Sequence, residues 1–193
     1  MTEQRGKTRD NKRKNAQKLK KRRHEMYLQS LRDEILTHAA PELSAVCSEV
    51  GEGEDLSFID RMKKVLGATP YGVGLAANQL GVTKRVCVWR SDSKSRLIKA
   101  MINPVIIEKS DDTEVLIEGC LSYPGKRCPI SRSLDVKVSY LDEKLAQKTE
   151  TFKGLEARIL QHEVDHLDGT CQVKDLIEAV KKAAETEPVE QSV

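Results

Sequence analysis

The sequence predicts an α+β fold in which mostly antiparallel strands pack around one central helix. Two observations carry that expectation. Short segments in the middle of the chain place apolar residues at every second position, Leu134, Val136, Val138 and Tyr140 being the plainest case, which is the pattern of a half-buried strand. Segments on either side instead place apolar residues three and four apart, as a helix does when it buries one face. Helices that bracket a block of strands, rather than alternate with them, describe an α+β domain.

A first amphipathic helix is expected over His24 to Leu36, where Met26, Leu28, Leu31, Ile35 and Leu36 recur at near-helical spacing. Glu49 to Asp55 is small, acidic and glycine-containing, and reads as a loop. A second helix starts at Ser57, read as its N-cap, carries Phe58, Met62, Val65 and Leu66 on one face and ends at Gly67. Beyond Pro70 the candidates are strands: Arg85 to Trp89, Leu97 to Ile107, Thr113 to Ile117 and Leu134 to Leu141. The last returns past Asp142 and Glu143 through Gln147 to Phe152 as a hairpin. A third helix covers Gly154 to Leu167, with Leu155, Ile159 and Leu160 apolar and Gly169 just past its end, where a left-handed cap is needed. A last helix, Val173 to Ala184, fades into an acidic, mobile tail. The chain therefore divides into a basic tail (residues 1–24), one domain (25–176) and a helix end with an acidic tail (177–193).

Composition narrows the class. At 193 residues the chain can build one hydrophobic core and is short for two. No apolar run approaches the roughly 18 residues of a membrane span, and no apolar stretch follows Met1 as in a secretory signal. Cys47, Cys87, Cys120, Cys128 and Cys171 are odd in number and scattered. That suits reduced thiols in the cytoplasm, and leaves cysteine free to act as a ligand.

The charge is uneven. Residues 1–24 hold eleven Lys or Arg against Glu3 and Asp10, a net +9 that leaves −6 on the rest of a chain whose total is +3. Such a block cannot bury apolar surface. It should be disordered, or helical when bound to something acidic such as ribosomal RNA. The competing reading is a solvated tail without a partner. An organellar transit peptide is disfavoured by the early acidic residues and the scarcity of serine.

The chemistry begins in the third helix, with His162-Glu163-Val164-Asp165-His166. Residues four apart share a helix face, so both imidazoles can reach one metal ion, and Glu163 can touch a metal-bound water without ligating. A surface helix that happens to carry two histidines is the bland alternative. A catalytic site of this kind needs a third protein ligand. Gln172 stands where the longer metalloprotease motif has a third His, and Glu178 or Glu185 could serve a protease that recruits a downstream carboxylate. The better candidate lies upstream in Glu118-Gly119-Cys120-Leu121-Ser122, where a cysteine beside a flexible glycine can present a thiolate. A third segment, Gly72-Val73-Gly74-Leu75-Ala76-Ala77-Asn78-Gln79, lets a backbone approach closely and supplies an amide donor in Gln79. It lacks the endings of a nucleotide-binding loop.

In this order the three segments resemble the Gly-x-Gly-x-Ala-Ala-x-Gln, Glu-Gly-Cys-Leu-Ser and His-Glu-x-Asp-His motifs of peptide deformylases, and Gly154-Leu155-Glu156-Ala157-Arg158 leads into the helix as in many members. The likeness runs from about Ile35 to Leu176. It implies a deformylase-like fold around a metal-binding helix, and a cytoplasmic monomer without membrane attachment. The substrates it implies are N-formylmethionyl nascent peptides. It further implies that Cys120, His162 and His166 hold one divalent metal, iron(II) in the cell with zinc, nickel or cobalt able to occupy the site. Hydroxide formed from the metal's water would attack the formyl carbon, with Glu163 as general base and then acid. Gln79 and the Leu121 N–H would stabilise the developing oxyanion. Backbone around Val73, Gly74 and Gly119 would pair with the extended peptide, Leu155 and Ile159 would line the methionine pocket, and Arg127 would face substrate. Asp165 is expected to pair with Arg132 and brace the helix, and Cys128 and Cys171 to be packing. Two departures are Ala39-Ala40-Pro41-Glu42-Leu43 at the domain's opening and Asn78 where Pro or Thr is usual. The basic extension before residue 25 is atypical of bacterial members and is the candidate contact with ribosomal RNA. Two rivals remain: a metallopeptidase built on the His-Glu-x-x-His helix alone, and a silent homologue that only binds RNA or ribosomes.

Overall fold

The computed structural model describes residues 2–91 and 97–186. Helices α1 (Thr2–Arg32) and α2 (Phe58–Ala68) precede the strands β1 (Gly74–Ala76), β2 (Val86–Arg90), β3 (Ile98–Lys109), β4 (Thr113–Cys120), β5 (Tyr123–Ser133), β6 (Asp135–Leu141) and β7 (Gln147–Lys153). Helices α3 (Gly154–Leu167) and α4 (Gln172–Thr186) close the chain. The ordering is the α+β arrangement read from the sequence. Every strand pairing is antiparallel, in a five-stranded sheet ordered β1-β2-β3-β6-β7 and a two-stranded sheet β4-β5.

The larger sheet lies between α2 and α3, so its central strands bury both faces. On β2, Val86 and Val88 join the α2 cluster with Met62, Val65 and Leu66, while Cys87 and Trp89 join the α3 cluster with Ala157, Leu160 and Leu167. That is why Val86-Cys87-Val88-Trp89 is unbroken by polar residues. The β6 strand shows the alternation expected of it, with Val136, Val138 and Tyr140 buried. Helix α3 is buried almost all round, including Arg158, Gln161, Glu163 and His166. Polar groups in such a place must be spoken for.

Several boundaries differ from the sequence reading. Helix α1 extends through the basic segment that was expected as a tail, and it ends before Ile35 and Leu36. Periodicity reports only the part that packs, here Leu28 and Leu31 against the α2 cluster. From Lys14 to Tyr27 the helix is exposed, and it rests on strong helix formers and on pairs such as Lys21–Glu25. Ser57 makes no capping bond. Its own N–H and hydroxyl bind Asp55 at 2.9 and 2.8 Å, and α2 runs one residue beyond Gly67. Strands β1 and β5 were not foreseen. The first is only three residues long, and the second is interrupted by Pro124, Gly125 and Pro129 and paired on one side only. Gly169 does adopt φ = +74° after α3, and a side chain there would meet the Ser44 carbonyl at 2.8 Å. The acidic tail after residue 186 lies outside the described residues. Among the described residues no helix is long and apolar enough to cross a membrane.

Candidate metal and peptide site

Two polar side chains of α3 clamp the β4–β5 ladder onto the helix. Arg158 donates to the carbonyls of Glu114 (2.6 Å) and Ile130 (3.0 Å), and Gln161 brackets Ser133, accepting from its N–H at 3.2 Å and donating to its carbonyl at 2.9 Å. Docked in this way, β4 ends in a bulge between Gly119 and Cys120, and the cysteine turns toward the helix. The Cys120 sulfur lies 3.1 Å from His166 Nε2. One donor atom each from Cys120, His162 and His166 falls within 4.8 Å of the others.

These donors fit a divalent cation. Sulfur and two imidazole nitrogens at one point are a borderline-soft set, and three protein ligands leave a coordination position open. His162 Nδ1 is held at 3.1 Å by Glu118, which commits the other ring nitrogen to the site. Asn78 donates to the His166 carbonyl at 2.6 Å. The buried atoms His166 Nδ1 and Glu163 Oε2 have no hydrogen-bond partner among the described residues.

Electrostatics separate the two glutamates. Burial would raise Glu118, but the bond to His162 and the bonds and charge of Arg132 override it and hold the carboxyl at about 2. Both its oxygens are engaged, by Arg132 at 3.1 Å twice and by Arg158 at 2.7 Å. Arg132 also reaches Asp165 at 2.5 Å, the pairing expected from the sequence. Glu163 has no such company, and burial pushes it up to about 8 despite the nearby His166. At the sulfurs, contact with Cys171 and then burial push Cys120 up, and the same contact pulls Cys171 down. A cation among Cys120 and the imidazoles would draw the negative charge onto Cys120, because a coordinating thiol is deprotonated outright.

Beside the donors opens a cavity of about 440 Å³. Its lining includes every residue assigned to chemistry or peptide binding from the sequence: Gln79, Leu121 and Glu163, then Val73, Gly74, Gly119, Arg127, Leu155 and Ile159. Leu155 stands at the rim, half exposed, and Ile159 is buried. Gln79 is oriented without ambiguity. Its Oε1 accepts from the Ala76 N–H at 2.9 Å, which leaves Nε2 near Ser122 Oγ (3.1 Å) and the Cys120 sulfur (3.7 Å).

The Val73 carbonyl accepts from the Arg90 N–H at 2.8 Å, and Val73 itself lines the cavity. In an antiparallel ladder the next residue faces the other way. Gly74, opposite Trp89, therefore presents its N–H and carbonyl to the open edge. A side chain at Gly74 would overlap the Glu163 carboxylate and come within 2.9 Å of its Cγ. Gly74→Ala is expected to cut turnover at least tenfold with near-wild-type metal content, checked by peptide kinetics beside metal analysis.

Glu118, Arg158, Ser122 and Cys171 were not assigned roles from the sequence. Glu118 and Ser122 could have been suspected from their place in the cysteine motif, and Arg158 from the segment that leads into the helix; Cys171, read as packing, carries no local signal. Glu118→Ala would strand two buried guanidinium groups, so a loss of about 3–5 kcal/mol is expected, with metal affinity down about 10–100-fold once His162 is unpinned. The acid limb should report the same residue. A carboxyl lowered in the folded state stabilises above its ordinary value of 4.5, and that stability is lost as pH falls toward 2. Urea melts of metal-free protein across this range should be steeper in pH for wild type than for Glu118→Gln.

A polypeptide deformylase family profile matches residues 32–182. A peptide deformylase from Natranaerobius thermophilus is 46% identical over 138 residues, covering 70% of this chain and 86% of the relative. Among solved structures, the deformylase of the Vibrio parahaemolyticus bacteriophage VP16T in complex with actinonin is 39% identical at a TM-score of 0.64, covering 71% of this chain and 98% of that one. A class I type b peptide deformylase from Acinetobacter baumannii is 34% identical at a TM-score of 0.65, covering 73% and 96%. On the profile match and these identities, the chain belongs to the peptide deformylase family.

Proposed function

We propose that the chain is a metal-dependent hydrolase that removes the formyl group from N-formylmethionine at the N-terminus of newly made proteins. The observation that carries this reading is the meeting of Cys120, His162 and His166 beside a desolvated Glu163 and an oriented Gln79 amide, at one end of a peptide-sized cavity. When bound, the cation supplies Lewis acidity and lowers the pKa of water. The remaining work belongs to the chain. Glu163 takes a proton from the attacking water on Oε2, its unpartnered oxygen, and delivers it to the leaving nitrogen. The Gln79 Nε2 hydrogens and the Leu121 N–H meet the charge growing on the formyl oxygen, each worth a few kcal/mol.

The peptide lies along the open edge at Gly74 and against Gly119 as an added strand, which sets the formyl group against the donors. Its methionine enters between Leu155 and Ile159, and Arg127 faces the residues that follow. Iron(II) is the metal we assign, with zinc, nickel or cobalt able to replace it. The metallopeptidase alternative is not favoured: Glu178 is exposed on α4 and is not part of the donor group. The test is direct. Metal-loaded protein mixed with a formyl-Met tripeptide should release formate and free amine in equal amounts, and cleavage of the peptide bonds instead would reject the reading.

We further propose that the protein works as a cytoplasmic monomer and docks on ribosomal RNA through α1. At 1.5 Å per residue this helix spans about 46 Å, and its exposed stretch carries Lys14, Lys18, Lys20, Lys21, Arg22 and Arg23. Phosphate contacts of this kind release counterions and weaken steeply with salt. Co-sedimentation with ribosomes should fall as salt rises and vanish when residues 1–24 are deleted. Equal sedimentation of both forms would end the idea.

A further inference from the structure

Three of the five cysteines meet in one buried cluster. Cys120 and Cys171 pack there with Tyr123, Ile130 and Val173, and Cys128 lies against them. Cys47 and Cys87 belong to a different cluster behind the sheet. All five are free thiols. Within the cluster, Cys120 and Cys171 differ in access. Cys120 lines the cavity, whereas Cys171 is only 3% exposed and stands just before the first turn of α4. The two thiols are neighbours within this one buried cluster, and each acts on the other's proton affinity, Cys120 upward and Cys171 downward. A small oxidant entering the cavity reaches Cys120 and finds a second sulfur behind it.

We infer that Cys120 and Cys171 form a disulfide when a peroxide enters the cavity, a reversible modification that removes the sulfur ligand and frees the metal. The step balances. The Cys120 thiolate attacks one peroxide oxygen, the O–O bond breaks, and with one proton the products are a sulfenic acid on Cys120 and water. The Cys171 thiol then displaces the sulfenic oxygen, which leaves as a second water. Two thiols have together given two electrons to one peroxide, and a dithiol returns them by exchange. Without a resolving thiol, sulfenic acid proceeds to sulfinic and sulfonic acids that dithiols do not reverse. Cys171 therefore protects the ligand while disabling the site. Its other possible part is to fill space, which valine would do as well.

The experiment uses the full chain loaded with zinc, which takes no part in redox chemistry, and hydrogen peroxide as the probe. Intact mass should fall by two hydrogens, and digestion should give a Cys120–Cys171 crosslinked peptide. One zinc should appear on a colorimetric chelator for each crosslink, and dithiothreitol followed by zinc should restore the original mass and metal content. In Cys171→Val, accepted only after its melting curve and zinc content match wild type, Cys120 should gain oxygens that dithiothreitol does not remove. Cys171→Ser serves if valine perturbs the fold. Accumulation of the same over-oxidised Cys120 in wild type, or a crosslink to Cys128, overturns the inference. Zinc release rests on the metal reading above, whereas the crosslink is read by mass alone, so the two can fail separately.

Discussion

Glu163→Ala is expected to lower kcat by about 10²–10⁴-fold, with metal content and KM close to wild type. The reason is position and burial together. Glu163 follows His162 on α3 and lines the cavity, yet its Oε2 has no partner among the described residues. Its carboxyl is carried from the usual acidic range to about 8 by desolvation. A base whose pKa sits near the working pH accepts and returns a proton with little cost in either direction. Because the side chain acts only as the bond breaks, its loss should appear in kcat and kcat/KM equally. An unchanged kcat would remove Glu163 from the reaction. The same carboxyl should mark metal-free protein. A carboxyl raised in the folded state stabilises below its ordinary value of 4.5, and that stability is lost as pH climbs through about 8. Thermal melts in chelator should show this decline in wild type and not in Glu163→Gln.

Cys120→Ala is expected to abolish stoichiometric metal binding and, with it, deformylation. One of three protein donors would be gone, so affinity should fall by more than the roughly 10–100-fold seen for an outer partner. The remaining imidazoles are held by α3 whether or not the sulfur is present, and the cysteine side chain is small, so the fold should survive. Its melting curve in chelator should stay near that of metal-free wild type. The variant also separates chemistries, since a peptidase built on the helix alone would keep its metal. Full zinc content in Cys120→Ala would favour that rival.

Much of the site could be read because its residues obey local rules. His162 and His166 fall on one face of α3 by helical spacing alone, with Glu163 beside them, and α3 itself has the bounds read from the sequence. The three motif segments then converge in the way their resemblance implied: Gln79, Cys120 and Glu163 line one cavity although 41 and 43 residues separate them in turn. Spacing could not show why they converge. Arg158 and Gln161 look like ordinary surface residues in the sequence, yet both are buried and tie β4–β5 to α3 through backbone carbonyls. Glu118 stands in a quoted motif, but its role depends on Arg132 and His162 arriving from β5 and α3.

Sequence alone therefore determined the elements that follow a short period: the central helix and its two imidazoles, the alternating strand β6, and the charge of the N-terminal segment. Those properties depend on neighbours within a few positions, so they are written locally. Tertiary structure decided what depends on distant partners. It committed the Val73 carbonyl to a ladder bond with Arg90 and left the Gly74 backbone on the open edge. It drew Glu118 and Glu163, 45 residues apart, to opposite ends of the carboxyl range by bonding one to two arginines and burying the other without such a bond. It also gathered Cys171 and Cys120 into one buried cluster, a neighbourhood across 51 positions that no local pattern encodes.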